Sequence, residues 1–240
     1  MIYIGSFYGW SDAGRVSTET VRLMLGNFNA RLIKEIRGYN VMTITRPYFL
    51  IDSGLIRDFR EPLTSFFLCE REGLIISLGF EPDFKWSEYV DEVFSMLVAN
   101  GVDRIFTIGS MYDRVSHRKG QRISLVTNNE ALREEPNCGA VNYKGPGSIH
   151  SFIIHESKKR EIDATTFWFS VPMYLPHVIY YPAIHSALEF LSKRIGVSIP
   201  IENMERMAKD QLDEIDRQVQ LDPNFKKLLE EIEGEGIVIQ

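Results

Sequence analysis

Ile2-Tyr3-Ile4-Gly5-Ser6-Phe7, followed at once by Gly9-Trp10-Ser11-Asp12-Ala13-Gly14, is the stretch that decides the fold. The first piece is a short apolar run of the kind that forms a buried strand. From Arg15 to Leu25, the residues Val16, Thr20, Leu23 and Met24 recur at helical spacing. The hexapeptide between them is therefore a strand-to-helix loop at the carboxyl end of the first strand. Open α/β sheets form their crevices and contact surfaces at that end. The glycines permit tight turns, and Asp12 either caps the helix or faces a ligand. A ring as large as Trp10 in a tight loop needs a surface to pack on. Two readings stand: a well-made strand–helix connection, or one loop of a binding site.

Working outward, Arg31 to Ile36 is a second strand. Residues 37 to 62 scatter Gly38, Pro47, Gly54 and Pro62 among aromatics, with a short strand expected at Val41 to Thr45. Such a segment is an excursion over a sheet edge or an oligomer contact. Ser65 to Cys69 and Leu74 to Leu78 flank a polar, Gly-containing connection and predict a β-hairpin. After Gly79-Phe80-Glu81-Pro82-Asp83, a helix is expected from Trp86 to Asn100. Val90, Val93, Phe94 and Leu97 form its buried stripe, and Gly101 stops it. A strand at Arg104 to Ile108 runs into the loop Gly109 to Asp113. A strand at Arg122 to Thr127 precedes a short helix from Asn129. The loop Tyr143-Lys144-Gly145-Pro146-Gly147-Ser148 opens a helix to Arg160. A last core strand covers Ala164 to Val171, and a helix runs from Pro182 to Ile195.

This recurrence of strand, helix and strand predicts an α/β three-layer sandwich with a largely parallel central sheet. Residues 1–195 form the α/β core domain and 196–240 a C-terminal helical extension. In that extension Ile201, Met204, Ala208, Leu212, Ile215 and Val219 make an apolar stripe. Pro223 opens a final helix with Phe225, Leu228, Leu229 and Ile232 on its face. Such an arm packs on its own domain or on another subunit.

At 240 residues and 44% hydrophobic content, the chain can bury one full core. A net charge of −6 argues against a general nucleic-acid partner, which needs a basic surface. No apolar run is long enough for a membrane span, and no signal peptide opens the chain, so a cytoplasmic protein is expected. Cys69 and Cys138 match no metal or redox spacing.

No catalytic residue, metal site or cofactor is expected. His150 and His155, five apart on a helix, point away from each other. The chain contains no HExxH, nucleophile elbow, Walker loop or complete GxGxxG. Gly145 to Ser148 offers the best anion site, because free N–H groups at a helix start favour phosphate or carboxylate; capping alone also explains it. Asp12, Glu81 and Asp83 sit at strand ends, where they coordinate a cation, bind a basic partner or cap helices.

Several of these loops together resemble the proteasome assembly chaperone family, the relatives of eukaryotic proteasome assembly chaperone 2. The matching pieces are Gly9 to Gly14, Gly79-Phe80-Glu81-Pro82 with Trp86, and Gly109-Ser110-Met111 with His117-Arg118. Tyr143 to Ser148 and Val171-Pro172-Met173-Tyr174 complete them, in order, over residues 1 to 195. The resemblance implies a phosphorylase/hydrolase-like α/β fold without catalytic apparatus. It also implies a homo-oligomer with a proteasome-subunit-like or other protein partner. Ser116 stands where the family often has Pro, and Met173 where it often has His. The chain ends Val238-Ile239-Gln240, not in the hydrophobic-Tyr-any tail that inserts between proteasome α-subunits, so insertion of that kind is not expected.

The first expectation is thus a non-catalytic oligomeric protein-binding or assembly-chaperone-like protein. The alternative is a small-ligand protein for a phosphate- or nucleotide-type anion, or a hydrolase/phosphorylase-like enzyme. In either case the expected rim is Trp10, Asp12, Gly14, Glu81, Trp86, His117, Arg118, Tyr143, Gly145, Gly147, Ser148 and Tyr174.

Overall fold

The computed structural model describes residues 1–234; the expectation for the Val238-Ile239-Gln240 tail lies outside them. Strand β1 (Ile2–Tyr8) is the centre of an eight-stranded sheet. It leads through residues 9–15, which end in a 3₁₀ turn (Ala13–Arg15), into helix α1 (Val16–Asn27) and then to β2 (Arg31–Arg37) at one edge. A separate two-stranded ribbon follows, β3 (Tyr48–Asp52) and β4 (Leu55–Arg60). The hairpin β5 (Leu63–Cys69) and β6 (Leu74–Phe80) returns the chain to the sheet beside β1. Helix α2 (Trp86–Ala99) crosses over to β7 (Arg104–Asp113) on the other side of β1. Then come β8 (Ile123–Thr127), β9 (Cys138–Ala140), α3 (Ile149–Lys159), β10 (Asp163–Pro172) and α4 (Tyr181–Ile195). Helices α5 (Glu202–Leu221) and α6 (Pro223–Gly234) complete the described chain.

The sheet order is β2-β5-β6-β1-β7-β10-β8-β9. Its central four strands, β6-β1-β7-β10, run parallel, so their carboxyl ends share one edge of the molecule. Side chains of a strand alternate between faces, and β1 shows why two layers of helix are needed. Ile4 joins a core with α1, α4 and the arm; Tyr3 and Phe7 join a second core with α2 and α3. The stripe Val90, Val93, Phe94 and Leu97 on α2 is buried throughout. Each such side chain contributes about 1.5–3 kcal/mol. On the opposite face Met204, Ile215, Val219 and Leu229 carry α5 and α6 into the same core as α1 and α4. The arm is therefore seated on the chain's own sheet layer.

Four local expectations are corrected. Val41 to Thr45 is a turn rather than a strand: the Ile44 and Thr45 amides both donate to the Val41 carbonyl, at 2.8 and 2.9 Å. The Asp83 carboxylate accepts from the Val41 amide (2.7 Å) and the Thr45 hydroxyl (3.1 Å), so a polar partner brought in by the loop after Phe80 holds the turn against strand formation. Asp83 is thereby turned away from α2, whose N-cap is Lys85 in a left-handed conformation without a side-chain cap. Gly109 to Asp113 is not a loop but the second half of β7, paired with Trp168 to Pro172. Gly109 is required there, since a Cβ would lie 2.6 Å from the Trp168 ring. After Asn129 the chain makes only a three-residue 3₁₀ turn, Glu130–Leu132.

Candidate functional site

At the carboxyl edge of the parallel strands, Tyr8 and Phe80 end β1 and β6 side by side, with ring centroids 5.0 Å apart. They floor a cleft of about 500 Å³. Trp10, Pro82, Trp86 and Gly147 wall it, and Ile44, Thr45 and Arg46 close the side toward the β3–β4 ribbon. Trp86 is fixed by its indole N–H, which donates to the Pro82 carbonyl at 2.7 Å. Glu81 and Asp83 add two carboxylates to the walls.

Two of the amides at the start of α3 are already taken by side chains of the protein itself. Glu81 Oε1 accepts from the Ile149 amide at 2.9 Å, and Ser148 Oγ accepts from the Ser151 amide at 3.5 Å. The protein's own carboxylate takes the place a bound anion would hold. Burial raises the Glu81 pKa, the Ile149 bond opposes that shift, and Asp83 reinforces it. In the preceding loop the Tyr143 hydroxyl donates to the Pro146 carbonyl at 3.0 Å, folding the ring over Gly145.

Trp10 remains 64% exposed, yet it has the packing surface its loop requires: it stacks on Trp168 of β10 at 6.2 Å. Beneath this pair lies His150, wholly buried, edge-on to Trp168 at 5.2 Å and to Phe7 at 5.3 Å. Its Nε2 is 3.2 Å from Ser11 Oγ, while its Nδ1 has no hydrogen-bond partner. Burial drives the His150 pKa down to about 3, so the ring is neutral at physiological pH. The Ser11–His150 contact is enclosed on all sides, without the carboxylate that orients a general base in a triad. Trp168 is legible in the sequence only as a strand residue, and Ser11 only as a member of the Gly9 to Gly14 loop. Arg46, the cation of the cleft wall, sits in a stretch whose pattern pointed to an edge excursion.

Asp12 faces inward from the same loop but not into the cleft. Its two oxygens accept from the Thr18 amide (3.1 Å) and hydroxyl (2.6 Å), tying off the first turn of α1. Burial outweighs these bonds and raises its pKa to about 6. Gly14 takes a positive φ of 59°, and a Cβ there would meet Tyr180 at 2.9 Å. It is the point where α4 is anchored on the first loop, the Tyr180 amide donating to its carbonyl.

His117, Arg118 and Tyr174 form a second, separate cluster beneath the arm. The Tyr174 hydroxyl bridges the His117 amide and Nδ1, both at 2.8 Å. His117 Nε2 and Arg118 meet Asp216 of α5 at 3.3 and 2.7 Å, and Ser116 donates to Glu233 of α6 at 2.6 Å. Burial lowers the His117 pKa against the pull of Asp216. These residues fasten the C-terminal helices to the sheet. The expected single rim is therefore two sites: Trp10, Glu81, Trp86 and Gly147 gather in the cleft with Ser148 just behind, while His117, Arg118 and Tyr174 hold the arm.

Among the described residues, no group of three or more His, Cys, Asp or Glu is placed to hold a metal, and no helix is long and apolar enough to cross a membrane. Comparison with known proteins decides the family. The model of the PAC2 family matches residues 6–219. The chain belongs to the PAC2 family. This stretch spans the β1–α1 loop, the cleft and nearly all of α5. In fold the chain is similar to a proteasome-assembly chaperone homologue of Mycobacterium tuberculosis, with a TM-score of 0.88 and 22% identity over 95% of this chain and 100% of that one. A PAC2 family protein of Streptomyces avermitilis aligns at a TM-score of 0.80 and 20% identity, covering 90% and 94% of the two chains. PbaB of Pyrococcus furiosus, an archaeal proteasome activator, aligns at 0.68 and 16% identity, covering 91% and 93%. A search of curated proteins gives no match.

Proposed function

We propose that this PAC2 family member is a non-catalytic, oligomeric protein-binding protein of the cytoplasm, acting in the manner of an assembly chaperone. Its contact rim would be the carboxyl edge around Trp10, Glu81, Trp86 and the Tyr143 to Ser148 loop. The observation that carries this reading is Trp10, a large ring held by Trp168 at the mouth of a cleft and left mostly in solvent. Exposed tryptophans beside apolar clefts are the anchors of protein interfaces. A proteasome-subunit-like partner is the reading favoured by the names of two structural neighbours, one a proteasome-assembly chaperone homologue and the other a proteasome activator.

The second reading is a small phosphate- or nucleotide-type anion in the same cleft. Arg46 on the wall favours it; the Glu81 carboxylate on the α3 amides opposes it. A photo-cross-linking residue substituted for Trp10 in the native host separates the two. Covalent recovery of one specific protein supports the first reading. No cross-linked protein, together with a thermal shift of the purified chain by phosphate or a nucleotide, replaces it with the second.

A further inference from the structure

The cleft at the carboxyl edge is lined as a receptor for an organic cation. Four aromatic side chains, Tyr8, Trp10, Phe80 and Trp86, border it together with the carboxylates of Glu81 and Asp83. An aromatic ring is negative over its face, and an indole attracts a cation there more strongly than a phenyl or phenol ring. Trp168 covers one side of Trp10, stacked at 6.2 Å, so the opposite face of this 64% exposed indole is the one left open. The protein puts no cation of its own on these rings. Among the described residues its cation–ring contacts lie elsewhere: Arg60 over Tyr48, Arg160 over Phe94 and Arg194 over Phe106.

Glu81 supplies the charge. Its Oε1 accepts from the Ile149 amide at 2.9 Å, which fixes the carboxylate. Its Oε2 accepts no hydrogen bond among the described residues and is open to solvent. That oxygen lies under the Trp10 loop, where a Cβ on Gly9 would be 3.7 Å from it. One carboxylate oxygen is thus anchored and the other left as an acceptor beside the exposed indole. Partial burial makes a charge-assisted hydrogen bond there stronger than it would be in water. Burial and the Asp83 charge hold the Glu81 pKa up, a cost to the carboxylate that a bound cation relieves.

Asp83, engaged by the Val41 amide and the Thr45 hydroxyl, adds a second negative charge to the walls. Arg46 is the opposing charge. It is exposed and, among the described residues, forms no ion pair with either carboxylate. Arg22, which donates to the Tyr8 hydroxyl at 2.7 Å, is already balanced by Glu19 at 2.7 Å. A long basic side chain fits this lining, because its hydrocarbon stem packs on rings while its head reaches a carboxylate. At about 500 Å³ the cleft holds one such side chain with the backbone that carries it.

We propose that the cleft receives a lysine or arginine side chain of a partner protein, its head bonded to Glu81 Oε2 and its stem packed on Trp10 and Trp86. This rests on the reading of the edge as a protein-contact rim and names the chemistry that the rim selects.

The test follows the indole N–H resonances of Trp10 and Trp86 in the full chain. The probes are the N-acetyl amides of arginine and lysine, with that of citrulline as the neutral isostere of arginine. The cationic probes are expected to shift both signals saturably, and citrulline to bind at least about tenfold more weakly. Glu81→Gln keeps an oxygen for the Ile149 amide and puts an N–H donor in place of Oε2; it should weaken the cationic probes about tenfold. Trp10→Ala, shown folded by circular dichroism and read at Trp86, should weaken them by a similar factor. No saturable shift with either cationic probe, citrulline binding as well as arginine, or wild-type affinity in Glu81→Gln would each overturn the inference. Photo-cross-linking from position 10 separates it from its premise. Capture of a protein that excess arginine amide blocks and citrulline amide does not is the result expected. Capture through a segment without lysine or arginine overturns the inference and leaves the contact rim standing, whereas capture of no protein overturns both.

Discussion

Asp12→Asn keeps the shape of the side chain that ties off α1 and removes its charge. The structure sets burial of the carboxylate against its bonds to Thr18, and burial wins, raising the pKa from 3.8 to about 6. The helix N-terminus favours the anion by only about 0.3–1 kcal/mol, too little to reverse that balance. A raised carboxylate pKa means that the folded chain binds the extra proton between pH 4 and 6. Stability from this group is therefore present at low pH and lost as pH climbs through that window. The loss is about 3 kcal/mol for a shift of roughly two units. Urea unfolding followed by circular dichroism at pH 4 to 8 should show the variant more stable than wild type by up to that amount above pH 7. The gap should close at pH 4. His150 acts in the opposite sense: in the unfolded chain it takes a proton below its ordinary pKa of 6.5, and the folded ring refuses it down to about 3. Its contribution falls by about 1.4 kcal/mol for each unit of acidification in that range. In the wild type the two slopes offset each other between pH 4 and 6, and Asp12→Asn exposes the His150 slope. Parallel pH profiles for the two proteins, or a variant less stable than wild type at pH 7, would refute the reasoning.

Other substitutions probe the remaining contacts. Tyr174→Phe strands the His117 amide and Nδ1 and should cost about 1–3 kcal/mol in thermal unfolding. Asp216→Asn, at a half-exposed ion pair, should cost less than about 1 kcal/mol; the reverse ranking would count against the arm being held chiefly at Tyr174. Glu81→Gln weakens the cap on α3 and is expected to cost about 1 kcal/mol, with faster amide exchange confined to the first turn of that helix. Gly79→Ala places a Cβ 2.3 Å from the backbone of Thr64 on the neighbouring strand. It should destabilise by about 3 kcal/mol, and wild-type stability in chemical denaturation would contradict the tight β5–β6 approach.

The parallel core and the β5–β6 hairpin were legible because their signals are periodic and buried. Ile2 to Phe7 alternates between two cores, and the α2 stripe falls on one face. Where local chemistry overrides period, the sequence misleads. Val41 to Thr45 alternates like a strand but is curled by the Asp83 carboxylate, forty residues away. Gly109-Ser110 has the composition of a loop, yet Gly109 is a strand residue making room for Trp168 on β10. The rim divided for a similar reason: order along the chain does not say which face of the sheet a loop serves. His117 and Tyr174 turn toward α5 and α6, whereas Trp10 turns toward Trp168 on β10 and Glu81 toward α3. His150 and Ser11 were invisible as a pair because 139 residues separate them.

The chain contains three tryptophans, and the carboxyl edge collects all of them. Trp10 and Trp86 line the cleft, and Trp168 lies against Trp10. The protein thus carries its own optical probe, confined to one place: intrinsic fluorescence reports on the cleft and is nearly silent about the arm and the ribbon. The imidazole in contact with Trp168 stays uncharged to about pH 3, so it adds no proton-dependent quenching over the working range. A change in emission on mixing with a partner would then locate the encounter without any label being attached.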